Sequence, residues 1–148
     1  MTTTASRTVS TATPIERVAA FLSDFTTTAE WDPHTVSCIR LNPEHDGVGV
    51  GAEYENVQKI AGRTSTLHYR VVEYDPGRRI VFEGGNDTVH TRDEMVFRQD
   101  SRGRTSVTYI VDVDLNGAAR AAQPLMPVLM KKIADDGADG MQTRLDAL

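Results

Sequence analysis

The stretch that decides the fold runs from Asn116 to Leu148: N-G-A-A-R-A-A-Q-P-L-M-P-V-L-M-K-K-I-A-D-D-G-A-D-G-M-Q-T-R-L-D-A-L. From Leu125 onward its apolar residues recur at helical spacing, so that Leu125, Val128, Leu129, Ile133, Met141, Leu145 and Leu148 form one stripe. Lys131, Lys132, Asp135, Asp136, Asp139 and Arg144 fall mostly on the opposite side. A helix of roughly 20 to 30 residues would be about 30 to 45 Å long. Pro124 and Pro127 resist a helix interior, because an interior proline costs about 3 kcal/mol. The expected course is a short turn over Gly117 to Gln123, a bend, then the main helix. Gly137 and Gly140 each cost about 1 kcal/mol relative to alanine in a helix. Either close packing or room for a ligand offsets that cost, or the helix breaks there.

Working back from this element, the period of the sequence changes to two. Strands are expected at Thr4 to Ala12, His34 to Leu41, Ala52 to Ile60, Thr64 to Tyr74, Arg79 to Glu83, Val89 to Arg98 and Ser106 to Leu115. Turn-forming residues separate them: Ala61-Gly62-Arg63, Asp75-Pro76-Gly77, Gly84-Gly85-Asn86-Asp87 and Asp100-Ser101-Arg102-Gly103, with a longer loop over Asn42 to Gly51. Such spacing implies successive hairpins in an antiparallel meander. Between the first two strands, Thr13-Pro14-Ile15-Glu16 reads as a helix start, with Thr13 as N-cap and Pro14 at the first helical position. A second short helix near Thr26 to Glu30 ends before Pro33, which disfavours helix at Asp32.

The whole order is strand, two short helices, six strands and a long helix. With Thr13-Pro14-Ile15-Glu16-Arg17-Val18, Trp31-Asp32-Pro33, Val48-Gly49-Val50-Gly51 and Val72-Glu73-Tyr74-Asp75-Pro76-Gly77-Arg78-Arg79-Ile80, the chain resembles the START-like, or SRPBCC, superfamily and its polyketide cyclase/dehydrase-like group. The resemblance spans essentially residues 1–148 as one domain. It implies an α+β helix-grip fold: a seven-stranded antiparallel sheet, two short helices and a long C-terminal helix across the sheet. It also implies a ligand pocket between sheet and helix. The superfamily shares fold and pocket more than reaction, so activity has to be argued from the site.

Alternation assigns the faces of the strands. Val107, Tyr109, Val111, Val113 and Leu115 share the side expected to meet the helix, as do Thr91, Asp93, Met95 and Phe97, then Leu67, Tyr69 and Val71, then Ile80 and Phe82. The third strand is ambiguous. Tyr54, Asn56 and Gln58 are assigned inward, because burying Glu53, Glu55 and Lys59 would cost more. Apolar walls with a few polar groups suit a small-molecule site, and a filled core is the alternative. The candidate ligand-binding residues are Trp31, Tyr54, Asn56, Tyr69, Phe82, Met95, Phe97, Tyr109, Leu125, Leu129 and Ile133. Asp93 and Tyr109 are the catalytic candidates, since a carboxyl among apolar neighbours is fitted for proton transfer. The joint around Pro124 and the Gly47 to Gly51 loop are expected to gate the pocket mouth together.

Composition bounds the rest. The chain has 148 residues, 39% hydrophobic and 25% charged, with a formal charge of −5 and no basic stripe interleaved with aromatics, so nucleic acid is not an expected partner. Cys38 is the one cysteine, which leaves no intrachain disulfide and agrees with a cytoplasmic setting. No apolar run is long enough for a membrane-spanning helix. The N-terminal residues lack the layout of a signal peptide. His34, His45, His68 and His90 show no metal-ligand spacing, and His68 and His90 fall on outward positions. Gly47-x-Gly49-x-Gly51 precedes a strand and is no dinucleotide fingerprint, and no Gly-x-Ser-x-Gly elbow occurs. No cofactor or metal is expected. Three readings stand: a carrier or sensor of a hydrophobic lipid, polyketide or related metabolite; a cyclase, dehydratase or isomerase using acid/base groups; and a toxin or co-chaperone-like interaction protein acting through its outer face. The inward strand sets contain no arginine, which weakens the cyclase reading.

Overall fold

The computed structural model describes residues 1–45 and 47–148; Asp46, within the loop expected over Asn42 to Gly51, lies outside them. Seven strands form one antiparallel sheet: β1 (Thr2–Thr11), β2 (Thr35–Arg40), β3 (Glu53–Ile60), β4 (Arg63–Asp75), β5 (Arg79–Gly85), β6 (Val89–Gln99) and β7 (Thr105–Leu115). The spatial order β1-β7-β6-β5-β4-β3-β2 is the expected meander, closed on one side by β1 pairing with β7. Three helices accompany it: α1 (Ile15–Ser23), the one-turn α2 (Thr28–Trp31) behind a 3-10 turn at Phe25–Thr27, and α3 (Met126–Asp146). A second 3-10 segment, Gly117–Leu125, contains no fully buried residue and runs directly into α3; it is longer than the short turn expected over Gly117 to Gln123, with Pro124 inside it and Pro127 in the first turn of α3. None of the described helices is long and apolar enough to cross a membrane.

α3 runs beside β1, tied to it by polar bonds. The Arg7 guanidinium donates to Asp135 at 2.9 Å, the Gln142 amide to the Ser10 carbonyl at 2.7 Å, and the Thr11 hydroxyl to Asp146 at 2.7 Å. Thr13 is not the N-cap that its sequence context suggests. Pro14 occupies that position, with no side-chain cap. The Thr13 hydroxyl instead donates to the Leu145 carbonyl at 2.6 Å, and the Thr13 carbonyl accepts from Thr105 at 2.6 Å. Buried between the ends of β7 and α3, the threonine satisfies a helix C-terminal carbonyl rather than a helix N-terminus.

The apolar stripe of α3 is rotated from the one its leucines and valines suggest. Met126, Met130, Ala134, Gly137, Met141 and Leu145 are buried, whereas Leu125 and Val128 are 68% and 77% exposed. The helix is continuous through both glycines. A Cβ at Gly140 would stand 1.9 Å from the Trp31 carbonyl oxygen, and one at Gly137 would lie 3.7 Å from Cζ3 of the Trp31 ring. The small residues let the α2 turn rest directly on α3, and this close packing offsets the helix propensity they forgo. Gly84 belongs to β5 rather than to the following turn. It pairs with Tyr69, and a Cβ there would meet the tyrosine ring at 2.6 Å.

The two helical glycines predict opposite outcomes. Gly137→Ala meets only ordinary contact distance and should raise stability by up to about 1 kcal/mol. Gly140→Ala drives a methyl into a backbone carbonyl and should lower it by about 1 to 3 kcal/mol or more. Urea denaturation of the two variants checks the pair; equal effects would contradict the packing of Trp31 on Gly140.

Candidate functional site

The inner space between sheet and helices divides into a filled end and a hollow end. In the filled end, Val9, Val18, Leu22, Ile80, Phe82, Met95, Phe97, Val107, Met141 and Leu145 pack with almost no exposure. Phe25 stacks there at tilted angles on Phe82 and Tyr69, with ring centroids 4.3 and 4.6 Å apart. α1 and the C-terminal turns of α3 supply the side chains that close this end.

Toward the N-terminal half of α3 the two layers leave a cavity of about 200 Å³. Val111, Val113 and Leu115 of β7, Leu67 of β4, and Met126, Leu129, Met130 and Ile133 of α3 form its apolar walls. The cavity reaches the end of the sheet marked by Ile60, Ser65 and Val89. Its polar groups are few: Asp93, Thr91, Tyr109, Tyr69, Asn56 and Gln58 from the sheet, with Asp32, His34 and Thr35 from the segment after α2. Among the described residues no lysine or arginine lines it.

Alternation on β6 and β7 brings the central polar group together. Asp93 stands opposite Val111 in the β6–β7 register, two residues from Thr91 on the same face. The Thr91 hydroxyl donates to one carboxyl oxygen at 2.8 Å and the Tyr109 hydroxyl to the other at 2.9 Å. Burial pushes the Asp93 pKa up to about 6 despite these two donors, because desolvation disfavours the charged form more strongly than they favour it. Tyr109 and Tyr69 are both raised well above the ordinary tyrosine value, first by burial and then by the Asp93 charge, so both hydroxyls keep their protons, and Tyr109 donates its own to Asp93. Trp31 meets the Tyr109 ring edge-on at 5.6 Å.

A second carboxyl group, Asp32, borders the same cavity and is also raised by burial, against bonds from the His34 backbone N–H at 3.0 Å and the Thr35 hydroxyl at 2.9 Å. His34 itself bridges the layers: its Nε2 lies 2.9 Å from Asp136 of α3, which also accepts from Lys132 at 2.9 Å. No group of three or more His, Cys, Asp or Glu with metal-site geometry occurs among the described residues.

Of the residues singled out from the sequence, Trp31, Asn56, Tyr69, Asp93, Tyr109, Leu129 and Ile133 line the cavity. Tyr54, Phe82, Met95 and Phe97 face inward as assigned but stand in the filled end, packed by Phe25 and α1. Leu125 lies on the surface, and Met126 and Met130 take the place expected of it. The Gly47 to Gly51 loop does not share a mouth with the Pro124 joint. It connects the Arg40 end of β2 to the Glu53 end of β3, with Gly49 near Tyr74, whereas the cavity reaches the opposite end of these strands. Asp32, His34 and Thr35 were not expected at the cavity. Their only sequence signal is the Trp31-Asp32-Pro33 break, which turns the chain inward under α3.

A curved antiparallel sheet grasping a C-terminal helix over a partly hollow interior is the helix-grip architecture of START-like proteins. The chain belongs to the family described as polyketide cyclase / dehydrase and lipid transport, whose model matches residues 2–146. Among solved structures it is similar to the Zhui aromatase/cyclase from Streptomyces sp. R1128, with 18% identity, a TM-score of 0.82 and coverage of 99% of this chain and 94% of that one. It is comparably similar to a START superfamily protein from Mycobacterium smegmatis, with 18% identity, a TM-score of 0.81 and 97% of each chain covered. A third, the TTHA0849 protein of Thermus thermophilus, matches at 18% identity and a TM-score of 0.77 over 99% of this chain and 98% of that one. At such identities the likeness is one of fold. No curated protein matches the sequence.

The raised Asp93 pKa carries a stability consequence with a definite sign. The folded carboxyl keeps its proton up to about pH 6, whereas the unfolded one releases it near 3.8, so the native state binds more protons in between. The Asp93 contribution is therefore whole below about pH 4 and is lost as pH rises through about 6, a change of about 3 kcal/mol. Asp32 acts in the same direction. Urea denaturation at both ends of this window should show the native protein losing stability, relative to Asp93→Asn, as pH rises. A constant difference between the two proteins would contradict an ionisable buried Asp93.

Proposed function

We propose that this protein binds an apolar small molecule in the hollow between the sheet and the N-terminal half of α3, as a carrier or sensor. The observation that carries the reading is the cavity itself: about 200 Å³ with predominantly aliphatic walls and a few fixed polar groups. Burial of apolar ligand surface at about 25 cal/mol per Å² supplies the affinity, and the polar groups set orientation. The volume falls below the range of roughly 300 to 1,000 Å³ common for drug-sized ligands. A compact ring system fits it better than a long acyl chain. Membership of a family described by both polyketide cyclisation and lipid transport is consistent with a ligand-binding role.

A second reading, acid/base catalysis in the same hollow, is favoured by one observation. Asp93 is buried, is bonded to Tyr109 and Thr91, and has its pKa raised to about 6, where a carboxyl can accept and return a proton near neutrality. In that reading Asp93, held by Tyr109 and Thr91, takes a proton from carbon next to a ligand carbonyl, and the Tyr69 hydroxyl donates to the developing enolate oxygen. The absence of a cationic lining residue among those described leaves the enolate charge to hydroxyl donors alone.

Trp31 is the one tryptophan of the chain and borders the cavity, so its fluorescence reports occupancy. Leu129→Phe, which fills the hollow from α3, should weaken binding of small aromatic ligands at least about tenfold with the fold intact by circular dichroism. Unchanged binding would place the ligand elsewhere. Asp93→Asn separates the two readings: turnover lost with binding kept means an enzyme, whereas a carrier shows no turnover of any bound compound in either form.

A further inference from the structure

Two aspartates line the hollow, Asp93 from β6 and Asp32 from the segment after α2. Every bond that holds them comes from a neutral donor. Asp93, only 4% exposed, accepts from the Thr91 and Tyr109 hydroxyls at 2.8 and 2.9 Å. Asp32 accepts from the His34 backbone N–H at 3.0 Å and the Thr35 hydroxyl at 2.9 Å. The cationic side chains that form ion pairs among the described residues meet other carboxylates. Arg79 and Arg92 meet Glu73 and Glu94, Arg144 meets Glu30, and Arg7, Lys131 and Lys132 meet Asp135 or Asp136.

What faces the two carboxyl groups from each neighbouring element is neutral or acidic. β4 presents Leu67 and Tyr69, and β7 presents Tyr109, Val111 and Val113. α3 presents Met126, Leu129, Met130 and Ile133. Asp32, and Asp112 from β7, add their negative charge to burial in raising the Asp93 carboxyl. Among the described lining residues, His34 is the one side chain able to carry a positive charge. Its Nε2 is turned to Asp136 of α3 at 2.9 Å, and Lys132 meets that same carboxylate.

At neutral pH the hollow therefore holds negative charge beside apolar walls with no counter-charge of its own. Low-dielectric walls strengthen such a field, which acts through space and needs no hydrogen bond to the carboxyl oxygens. An anion in this space would add a third like charge. A neutral molecule would leave the two carboxylates as they are. A protonated amine would supply the missing charge. The inward-facing Val111, Val113 and Leu115 are only half-buried, so the hollow is open to solvent at that end and an ammonium group there keeps part of its hydration.

On the reading that the hollow binds a ligand, we propose that its ligand is a compact apolar amine, bound in its protonated form and held in the field of Asp93 and Asp32. A volume of about 200 Å³ suits one or two rings, since an engineered apolar cavity of about 150 Å³ holds benzene. Binding is then linked to the Asp93 proton. Below its pKa of about 6 the carboxyl is neutral and attracts no amine; above it the carboxylate does. An ammonium that returns this carboxyl toward its ordinary 3.8 binds about tenfold more tightly at about pH 7 than at about pH 5.

The test uses benzylammonium, benzyl alcohol and benzoate, single-ring molecules of similar size that differ in charge, read by Trp31 fluorescence and calorimetry at both pH values. At neutral pH the native protein should bind benzylammonium at least about tenfold more tightly than benzyl alcohol, with benzoate the weakest. Acidification should weaken benzylammonium about tenfold and leave benzyl alcohol unchanged. Asp93→Asn should remove that pH dependence, and His34→Gln should keep it; the His34→Gln profile stands by itself if Asp93→Asn fails to fold. Benzyl alcohol bound as tightly as benzylammonium, with both weakened by Leu129→Phe, would overturn the amine proposal and leave the cavity reading intact. Tightest binding of benzoate, or a pH dependence that survives Asp93→Asn or vanishes in His34→Gln, would also overturn it. Binding of none of the three would overturn both the proposal and the cavity reading on which it rests.

Discussion

The architecture depends on one contact, the backbone of Trp31 lying against the backbone of α3 at Gly140. No side chain fits between them. The α2 turn is thus anchored on the C-terminal half of the helix, where Met141 and Leu145 also sink into the packed end of the core. The N-terminal half has no such anchor. It reaches the sheet through methionine, leucine and isoleucine side chains that stop short of the opposite wall, and the hollow lies beneath them. One helix therefore serves two purposes: a tightly packed half that fixes its position, and a half that roofs a cavity.

The polar groups under that roof are sparse and mutually arranged. Asp93 is held by two hydroxyls rather than by a cation, so the cost of burying it is only partly offset and its proton is retained well above the ordinary carboxylate range. The charged side chains of the sheet concentrate on its outer face. Arg79 pairs there with Glu73 and Glu94, and Arg92 with the same two carboxylates. Among the described residues no lysine or arginine lines the cavity, and Asp93 there meets only the Thr91 and Tyr109 hydroxyls.

Much of this was legible in the chain. Alternation sorts the residues of β4 to β7 into inner and outer faces, the cost of burying charge settles β3, and the turn residues mark the meander. The reading of α3 fails by roughly one position in its first half. Leu125 and Val128 are the more hydrophobic side chains, yet the helix buries methionine, alanine and glycine. In that half the helix faces the hollow through Met126, Leu129, Met130 and Ile133, so the apolarity of single side chains does not decide which of two neighbouring stripes turns inward. Strand alternation also cannot tell which end of a sheet is filled. Tyr54, Phe82, Met95 and Phe97 share the inner face with Asn56, Asp93 and Tyr109; only the placement of α1 and Phe25 separates packed residues from lining ones. Likewise Asp32 and His34 reach the cavity through a tertiary contact, the closure of the α2 segment under α3.

The central claim is that the interior beneath the N-terminal half of α3 is hollow and predominantly apolar. A crystal structure determined under xenon pressure tests it most directly, since xenon occupies apolar hollows in protein interiors. The account predicts xenon density bounded by Leu129, Met130, Leu67 and Val113, with none around Phe82, Met95 and Phe97. Side chains of the protein closing that space, with no xenon between helix and sheet, would contradict it.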